Sequence, residues 1–339
     1  MNYPLVSWVQ SLQTNCFFFV MWQSNFFPVV KWFYIVGTIL AIAYFAICIL
    51  LVLVQRRLIF FPSSIIEMTP KNVQLPYEDV WLPVSTKKGK LEQIHGWWIS
   101  SNSGKQNVKG VLLYLHGNAV NIGVNIEQAY RFYKLGFDVF LVDYRGYGRS
   151  KGNFPSEAQV YQDVEIVWDY LVNQRGINPQ NIFVYGHSLG GAIAIELATR
   201  HPEMAGLIIQ SSFTSMLDMV GRMGKYRIFP INLLLHQRFD SMTKLRQLEI
   251  PIMLIHGRSD GLIPAYMSER LFEVSPAEIK DLYLVSDAGH NNVAATAGDE
   301  YLDRVSHFVN QLRSRKEEER QNSNFEKDVR MIRNRNSYE

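Results

Sequence analysis

Residues 181–198 read Asn-Ile-Phe-Val-Tyr-Gly-His-Ser-Leu-Gly-Gly-Ala-Ile-Ala-Ile-Glu-Leu-Ala. An apolar run of β type at 182–185 leads into the pattern G-x-S-x-G at 186–190, and a segment of helical composition follows it. Glycines on both sides of Ser188 permit a sharp strand-to-helix turn that holds the serine hydroxyl clear of its neighbours. A hydroxyl needs a base to become a good nucleophile, so this interpretation requires suitable partners further along the chain.

Such partners occur in two later loops. The loops follow apolar runs at 252–255 and 282–285, and they carry Asp260 and His290. The order serine, aspartate, histidine accompanies a turn of this type. The ordinary pKa of histidine lies near neutral pH, which suits a general base, and a carboxylate can hold the imidazole in its useful tautomer. We therefore predict Ser188 as the nucleophile, His290 as the general base and acid, and Asp260 as the orienting acid.

Other residues compete for these roles. Ser188 could be an ordinary N-cap serine, although a helix cap does not require flanking glycines. Asp287 is nearer in sequence to the candidate base, but a residue three positions before a histidine usually faces elsewhere. Of the eight histidines, His116 and His256 precede glycines at strand ends and are expected to brace loops, whereas His187 is expected to point away from the attacking face.

A third loop carries candidate donors for an oxyanion. It follows the apolar run 111–115 and reads His-Gly-Asn-Ala at 116–119. A backbone N–H just past such a His-Gly pair can act together with the N–H after the nucleophile to stabilise an oxyanion. We assign these two donors to Asn118 and Leu189. The aspartate and arginine of the loop Asp-Tyr-Arg-Gly-Tyr-Gly at 143–148 are expected to be structural.

Short apolar runs alternate with helical segments along the chain, as is typical of parallel strands covered on both faces. One intervening helix, 156–172, has a single apolar stripe and can begin with a capping box of Ser156 and Gln159. The sequence thus predicts an α/β fold with a doubly wound, mostly parallel sheet, in which ligands bind beyond the carboxyl ends of the strands. The predicted core strands are 111–115, 139–143, 182–185, 207–210, 252–255 and 282–285, after an antiparallel pair, 79–84 and 93–100.

These motifs together resemble those of the α/β-hydrolase superfamily, over residues 75–312. The branch most similar to this chain is that of membrane-anchored serine hydrolases called bud-emergence-type hydrolases, whose relatives include acyl-protein thioesterases and lysophospholipases. The resemblance implies an α/β-hydrolase fold and an ester or thioester substrate, without choosing between them, and it implies no metal or organic cofactor. The motifs that carry it are HGNA (116–119), DYRGYGRS (143–150), GHSLGG (186–191), IHGRSD (255–260) and AGH (288–290).

The N-terminal region predicts a single transmembrane helix. Residues 32–55 include no charged residue, and a helix of that length spans about 30 Å or more, enough for a bilayer core. Competing interpretations are a buried core helix and a signal peptide, but for a signal peptide the run is too long, begins too late and lacks a cleavage site of small residues. Arg56 and Arg57 follow the run, whereas Lys31 alone precedes it, so the positive-inside rule predicts a cytoplasmic domain.

The remaining organisation follows from composition. The net charge is +3 with mixed signs, which indicates no nucleic-acid-binding face. Cys16 and Cys48 both lie in the N-terminal region, so the catalytic domain has no disulfide framework. The predicted segments are an apolar N-terminal segment (1–31), the transmembrane helix (32–55), a juxtamembrane connector (56–74), the α/β-hydrolase domain (75–312) with a small cap region (211–250), and a charged tail of frayed helix and disorder (313–339).

The favoured hypothesis is a membrane-anchored serine hydrolase that forms an acyl-enzyme at Ser188. The membrane anchor and the apolar cap indicate a lipid-like ester, or a thioester on an acylated protein, as substrate. Two alternatives stay open. One is a serine peptidase of the same fold, and the other is a non-catalytic, membrane-anchored scaffold on a hydrolase fold.

Overall fold

The computed structural model describes residues 5–85, 89, 91–101 and 108–335, with side chains for all of these except 5–29 and 323–335. The strands of this part of the chain are β1 (Tyr77–Ser85), β2 (Leu91–Ile99), β3 (Gly110–Leu115), β4 (Phe137–Val142), β5 (Ile182–His187), β6 (Gly206–Gln210), β7 (Ile252–Gly257) and β8 (Lys280–Val285). The helices are α1 (Leu5–Ile59), α2 (Ile126–Lys134), α3 (Glu157–Asp169), α4 (Leu189–Arg200), α5 (Met216–Arg222), α6 (Ile231–Leu234), α7 (Ser241–Leu245), α8 (Tyr266–Val274), α9 (Val293–Ala297) and α10 (Asp299–Arg335).

The described strands form one sheet in the order β1-β2-β4-β3-β5-β6-β7-β8. β1 pairs antiparallel with β2, and β2 pairs antiparallel with β4, whereas the pairs from β4 to β8 are parallel. The predicted fold is therefore confirmed, with its antiparallel pair at one edge. Each predicted run overlaps a strand, and the observed ends differ from the predicted ends by at most two residues.

Apolar side chains cover both faces of the sheet. Along β3, Leu113 lies in the hydrophobic cluster on one face, whereas Leu112 and Tyr114 lie in the cluster on the other face. This alternation follows from the pleat of a strand, and it explains why the runs are continuously apolar. Burial of a side chain of this size contributes about 1.5–3 kcal/mol. With both faces covered, the carboxyl ends of the strands are the open edge at which a ligand can approach.

Helix α3 begins with the predicted capping box. The backbone N–H of Ser156 donates to Oε1 of Gln159 at 3.0 Å. The helix also covers a buried ion pair, in which Nε of Arg145 donates to Oδ1 of Asp163 at 2.8 Å. Arg145 is therefore structural, as predicted. The apolar stripe of α3 is buried through Val160, Val164, Val167 and Trp168.

The N-terminal helix is longer than predicted. It runs without interruption from Leu5 to Ile59, and its part Val30–Ile59 is long and apolar enough to cross a membrane, with a mean hydropathy of 2.8. Residues 56–59, predicted as the start of the connector 56–74, are therefore helical, and the predicted transmembrane span 32–55 stays a prediction. The arginines do not interrupt helical hydrogen bonding, whereas Pro62 disfavours helix in the residue before it. The predicted apolar N-terminal segment, 1–31, lies almost entirely outside the residues whose side chains the structure describes.

The chain divides into two compact units, one ending at Val54 and the other beginning at Gln55. The second unit contains the sheet and the region predicted as a cap. Residues 211–250, all of which the structure describes, form the short helices α5, α6 and α7 joined by irregular chain. The predicted cap region thus contains short helices, and its role as a cap stays a prediction.

The C-terminal segment is more regular than expected. Helix α10 continues to Arg335, across most of the segment 313–339 that was predicted to fray into a disordered tail. Oppositely charged side chains four positions apart support a solvated helix here, as when Nε of Arg315 donates to Oε1 of Glu319 at 3.1 Å. Residues 336–339 lie outside the described part of the chain.

Candidate active site

Ser188 occupies a strained turn between β5 and α4. Its backbone has φ 54° and ψ −116°, a conformation that residues other than glycine rarely adopt. Contacts with the end of β6 hold the turn: the N–H of Ser188 donates to the carbonyl of Gln210 at 2.9 Å, and Oγ of Ser212 donates to the carbonyl of Ser188 at 2.8 Å. The turn thus presents the Ser188 side chain at the open edge of the sheet.

The glycines of G-x-S-x-G are required by packing. A Cβ on Gly190 would collide with the carbonyl oxygens of Leu115 and His116, at the end of β3. A Cβ on Gly186 would collide with the backbone of Gly190 and Gly191. Only glycine permits this close approach, which brings the elbow directly against the loop that follows β3.

The structure brings the three predicted residues of the triad together. Nε2 of His290 lies 3.1 Å from Oγ of Ser188, and Nδ1 of His290 lies 2.7 Å from Oδ2 of Asp260. An ionised carboxylate only accepts hydrogen bonds, so Nδ1 carries the proton in this arrangement. Nε2 is then free to accept the hydroxyl proton of Ser188, which is the tautomer that a general base requires.

Asp260 is buried and well supplied with donors. Its Oδ1 accepts the backbone N–H groups of Leu262 at 2.9 Å and Ile263 at 2.8 Å. Burial by itself would raise the pKa of this carboxyl group, but hydrogen bonds from His256, His290 and Ile263 hold the pKa well below its ordinary value. The carboxylate therefore stays ionised beside the imidazole.

Asp287 was the alternative candidate for the orienting acid. Asp287 is exposed and has φ 59°, in the left-handed region that favours a turn. The structure therefore places Asp260, and not Asp287, against the ring of His290.

His256 was expected to brace a loop, and its ring also contacts the carboxylate of Asp260. The ring is fully buried, and its Nδ1 accepts the hydroxyl proton of Ser268 at 2.7 Å. Its Nε2 faces two acceptors, Oδ2 of Asp260 at 3.2 Å and the carbonyl of Ile263 at 2.8 Å. His256 therefore holds both the carboxylate and the loop that carries it. The sequence signal for this contact was the run His-Gly-Arg-Ser-Asp at 256–260, in which the histidine precedes the aspartate by four residues.

The expectation that His187 points away from the site is wrong. Its Nε2 donates to the carbonyl of His290 at 3.2 Å, and the centres of the two imidazole rings are 5.1 Å apart. Burial, and then the nearby His290 ring, lower the pKa of His187 to about 4. His187 is therefore neutral at pH 7, so it braces the loop of His290 without placing a second positive charge beside it.

The loop at 116–119 passes beside Ser188. A Cβ on Gly117 would lie 3.3 Å from Cβ of Ser188, and Asn118 follows directly. Leu189 is the first residue of α4, where backbone N–H groups have no acceptor within the helix. The two predicted oxyanion donors thus belong to segments that meet at Ser188.

Buried polar contacts hold this loop from behind. Nδ1 of His116 donates to the carbonyl of Gly117 at 2.7 Å, and the hydroxyl of Tyr144 donates to the carbonyl of His116 at 3.0 Å. Oδ1 of the buried Asp143 accepts the N–H of Ile122 at 3.0 Å. These contacts agree with the structural roles expected for His116 and Asp143.

Known proteins are similar to this chain over much of its length. The model of the family described as serine aminopeptidase, S33, matches residues 106–239. The human alpha/beta hydrolase domain-containing protein 17B is 34% identical over 212 residues, which are 60% of this chain and 68% of that protein. Protein bem46 of Schizosaccharomyces pombe is 29% identical over 263 residues, which are 75% of this chain and 85% of that protein.

Solved structures share the fold. An esterase of Pyrococcus furiosus superposes with a TM-score of 0.60 at 22% sequence identity, and the match covers 74% of this chain and 98% of that one. At this level of identity the likeness concerns the architecture of the sheet and its helices.

Proposed function

Because the chain belongs to the α/β-hydrolase superfamily, in the branch of protein bem46, we propose that it is a membrane-anchored serine hydrolase that cleaves acyl ester or thioester bonds. The observation that carries this proposal is the 3.1 Å contact between Nε2 of His290 and Oγ of Ser188, with Asp260 bound to the far side of the imidazole. A serine, a base and an orienting acid in this arrangement are the requirements for acyl transfer.

The proposed reaction has two halves. Oγ of Ser188 attacks the acyl carbonyl while Nε2 of His290 takes its proton, and the backbone N–H groups of Asn118 and Leu189 stabilise the oxyanion. Collapse of the tetrahedral intermediate expels the alcohol or thiol, which receives the proton from His290. A water molecule, deprotonated by the same imidazole, then attacks the acyl-enzyme, and the second tetrahedral intermediate collapses to the carboxylic acid as His290 returns the proton to Oγ of Ser188. Asp260 stabilises the imidazolium in both halves.

Features away from the triad support an apolar substrate at a membrane. The helix Val30–Ile59 has the length and composition of a membrane span. Leu233 in the cap region and Leu262 beside Asp260 are both more than half exposed, which suits contact with acyl chains. The basic pair Arg56 and Arg57 in the last turn of this helix favours a cytoplasmic catalytic domain.

A peptidase is the second candidate, because the matching family model is described as a serine aminopeptidase. The same triad can attack an amide, so hydrolysis of matched ester, thioester and aminoacyl amide substrates would separate the two candidates. The scaffold alternative predicts no hydrolysis of any of them.

The proposal can be tested by finding which residue reacts with a serine-directed probe. A fluorophosphonate probe should react with the full-length protein in membrane fractions, and mass spectrometry should find the phosphonate on the peptide that contains Ser188. Such probes require an activated serine, which the contact with His290 provides. A label on another residue, or no label on protein that melts cooperatively, would contradict the proposed function.

The rate of acylation should rise with pH and level off once the base is neutral, because a protonated His290 cannot accept the hydroxyl proton. Despite burial, hydrogen bonds hold the pKa of Asp260 far below this range, and burial lowers the pKa of His187 to about 4. Neither Asp260 nor His187 should therefore change its charge between pH 5 and 8, so the loss of kcat/KM in acid should follow protonation of the base. A kcat/KM that does not change from pH 5 to 8 would contradict the assignment of the base.

A further inference from the structure

The side chain of Asn118 joins the proposed oxyanion loop to the end of the N-terminal helix. Its Oδ1 accepts the backbone N–H of Phe61 at 3.0 Å, and its Nδ2 donates to the carbonyl of Ile59. Oδ1 also accepts the hydroxyl of Tyr147 at 2.7 Å and the N–H of Ala119 at 2.9 Å. The amide group is thus engaged at both ends, and two of its contacts are with the chain that leaves α1.

A second asparagine repeats this attachment three residues later. Nδ2 of Asn121 donates to the carbonyls of Ser63 at 3.1 Å and Ile65 at 2.7 Å, while its Oδ1 accepts the N–H of Gly123. The N–H of Gly148 also donates to the carbonyl of Ser63, at 2.8 Å. We call residues 55–65 the exit segment, and these bonds fasten its second half to the loop that follows β3.

The first half of the exit segment is fastened to the cap region. Oε1 of Gln55 accepts the backbone N–H groups of His236 at 2.9 Å and Gln237 at 3.2 Å. Phe60 is fully buried, with its ring centre 6.0 Å from that of Phe239. Arg56 binds the start of α3, where its Nε donates to the carbonyl of Pro155 at 3.0 Å. The exit segment is therefore an integral part of the catalytic unit and no flexible tether.

We propose that the side chain of Asn118, held by the exit segment and by the hydroxyl of Tyr147, positions the oxyanion hole. This inference rests on the proposed function, because it assumes that the backbone N–H of Asn118 binds the oxyanion. Hydrogen bonds to Ile59, Phe61 and Tyr147 restrict rotation of Asn118, and a donor contributes to the transition state only when it is aimed in advance. Tyr147 is accordingly a positioning residue.

The test uses full-length protein in membranes and two variants that leave the Asn118 N–H in place. Asn118→Ala removes every contact of the amide group, and Tyr147→Phe removes one. Loss of an oxyanion donor lowers kcat by about 10²–10³, so a displaced donor should cost about 10²-fold for Asn118→Ala and about tenfold for Tyr147→Phe. Tyr161→Phe is the matched control, because its hydroxyl binds Glu157 at 2.7 Å and lies outside this contact.

Two further measurements separate positioning from a general loss of structure. KM should change less than about twofold, whereas affinity for a trifluoromethyl ketone, which forms an oxyanion with the serine, should fall by the same factor as kcat/KM. The double variant that combines Asn118→Ala with Tyr147→Phe should be no slower than Asn118→Ala alone, because both changes act through the same contact. Tyr147→Phe and Tyr161→Phe should lower the melting temperature by equal amounts, so a larger loss of kcat in Tyr147→Phe would not come from a loss of stability.

The outcomes are distinguishable. The inference would be supported if Asn118→Ala and Tyr147→Phe each lowered both kcat and the affinity for the ketone, and if the double variant were no slower than Asn118→Ala. Unchanged kcat in both variants of an active enzyme would overturn it while leaving the proposed function intact. A wild-type protein that folds but neither reacts with fluorophosphonate nor hydrolyses esters would overturn both.

Discussion

Ser188→Ala should lower kcat for ester hydrolysis by about 10⁵-fold or more, because it removes the atom that we propose forms the acyl-enzyme. In the described structure, Oγ of Ser188 is the hydroxyl that Nε2 of His290 approaches, at 3.1 Å. Alanine should be accommodated without unfolding, since the turn is held by the backbone of residue 188 and by Ser212. The measurement is kcat on a short-chain ester, together with fluorophosphonate labelling of the same membrane preparation.

A matched control is available in Ser259→Ala. Ser259 is an exposed serine directly before Asp260, so its loss tests the general effect of removing a hydroxyl near the site. This control should retain activity within about twofold, as expected for a surface substitution. Substantial hydrolysis by Ser188→Ala would sink the assignment of the nucleophile. A Ser188→Ala protein that is inactive yet fully functional in cells would favour the scaffold alternative.

Asp260→Asn should lower kcat by about 10⁴-fold, whereas Asp287→Asn should change it by less than about twofold. An amide at position 260 can donate to Nδ1 of His290, which would put the imidazole proton on Nε2 and prevent it from accepting the serine proton. The amide also lacks the negative charge that stabilises the imidazolium. Steady-state kinetics at constant pH would compare the two variants directly.

The Asp287 variant is a fair control for the same chemical change. Its side chain is exposed, and asparagine tolerates the left-handed backbone found at this position, φ 59°. Melting temperatures should accompany the kinetics, because Asp260 also accepts backbone N–H groups from Leu262 and Ile263. A larger loss in Asp287→Asn than in Asp260→Asn would show that the acid has been assigned to the wrong loop.

The sheet and the meeting of the triad are predictable from the sequence for a simple reason. A buried parallel strand must be apolar on both faces, so its residues stand out as a short run, and the loop after each run must lie at the same edge. Ser188, Asp260 and His290 each follow such a run. The flanking glycines of Ser188 add a steric signal, since a side chain at Gly190 would collide with the end of β3.

Other features were not predictable because they depend on contacts without a sequence period. The positions of His187 and His256 are set by which loop each ring reaches, a matter of tertiary packing. The attachment of the exit segment depends on side-chain amides that bind backbone groups about 60 residues away, as when Asn118 binds Ile59. Hydrogen bonds from a side chain to a distant backbone leave no pattern in the chain.

The C-terminal ends of helices α1 and α10 could not be predicted from the sequence either. The apolar run predicted a helix over 32–55, but the helix ends only at Ile59, because charge limits burial in a membrane and does not limit helical hydrogen bonding. The charged C-terminal segment was expected to fray, yet α10 reaches Arg335. Charged residues with spacings of four can stabilise a solvated helix as readily as they can mark a disordered tail.

The order of the strands in the sheet has a consequence for the newly synthesised chain. β8, whose following loop carries His290, is the last strand in sequence and lies at the edge of the sheet. Ser188 and His290 are 102 residues apart, so at about 5–20 residues per second roughly 5–20 s of translation separates them. During that interval the nascent chain holds its serine without a base. Premature termination before β8 would therefore yield products that cannot attack cellular esters, whatever else of the sheet has formed.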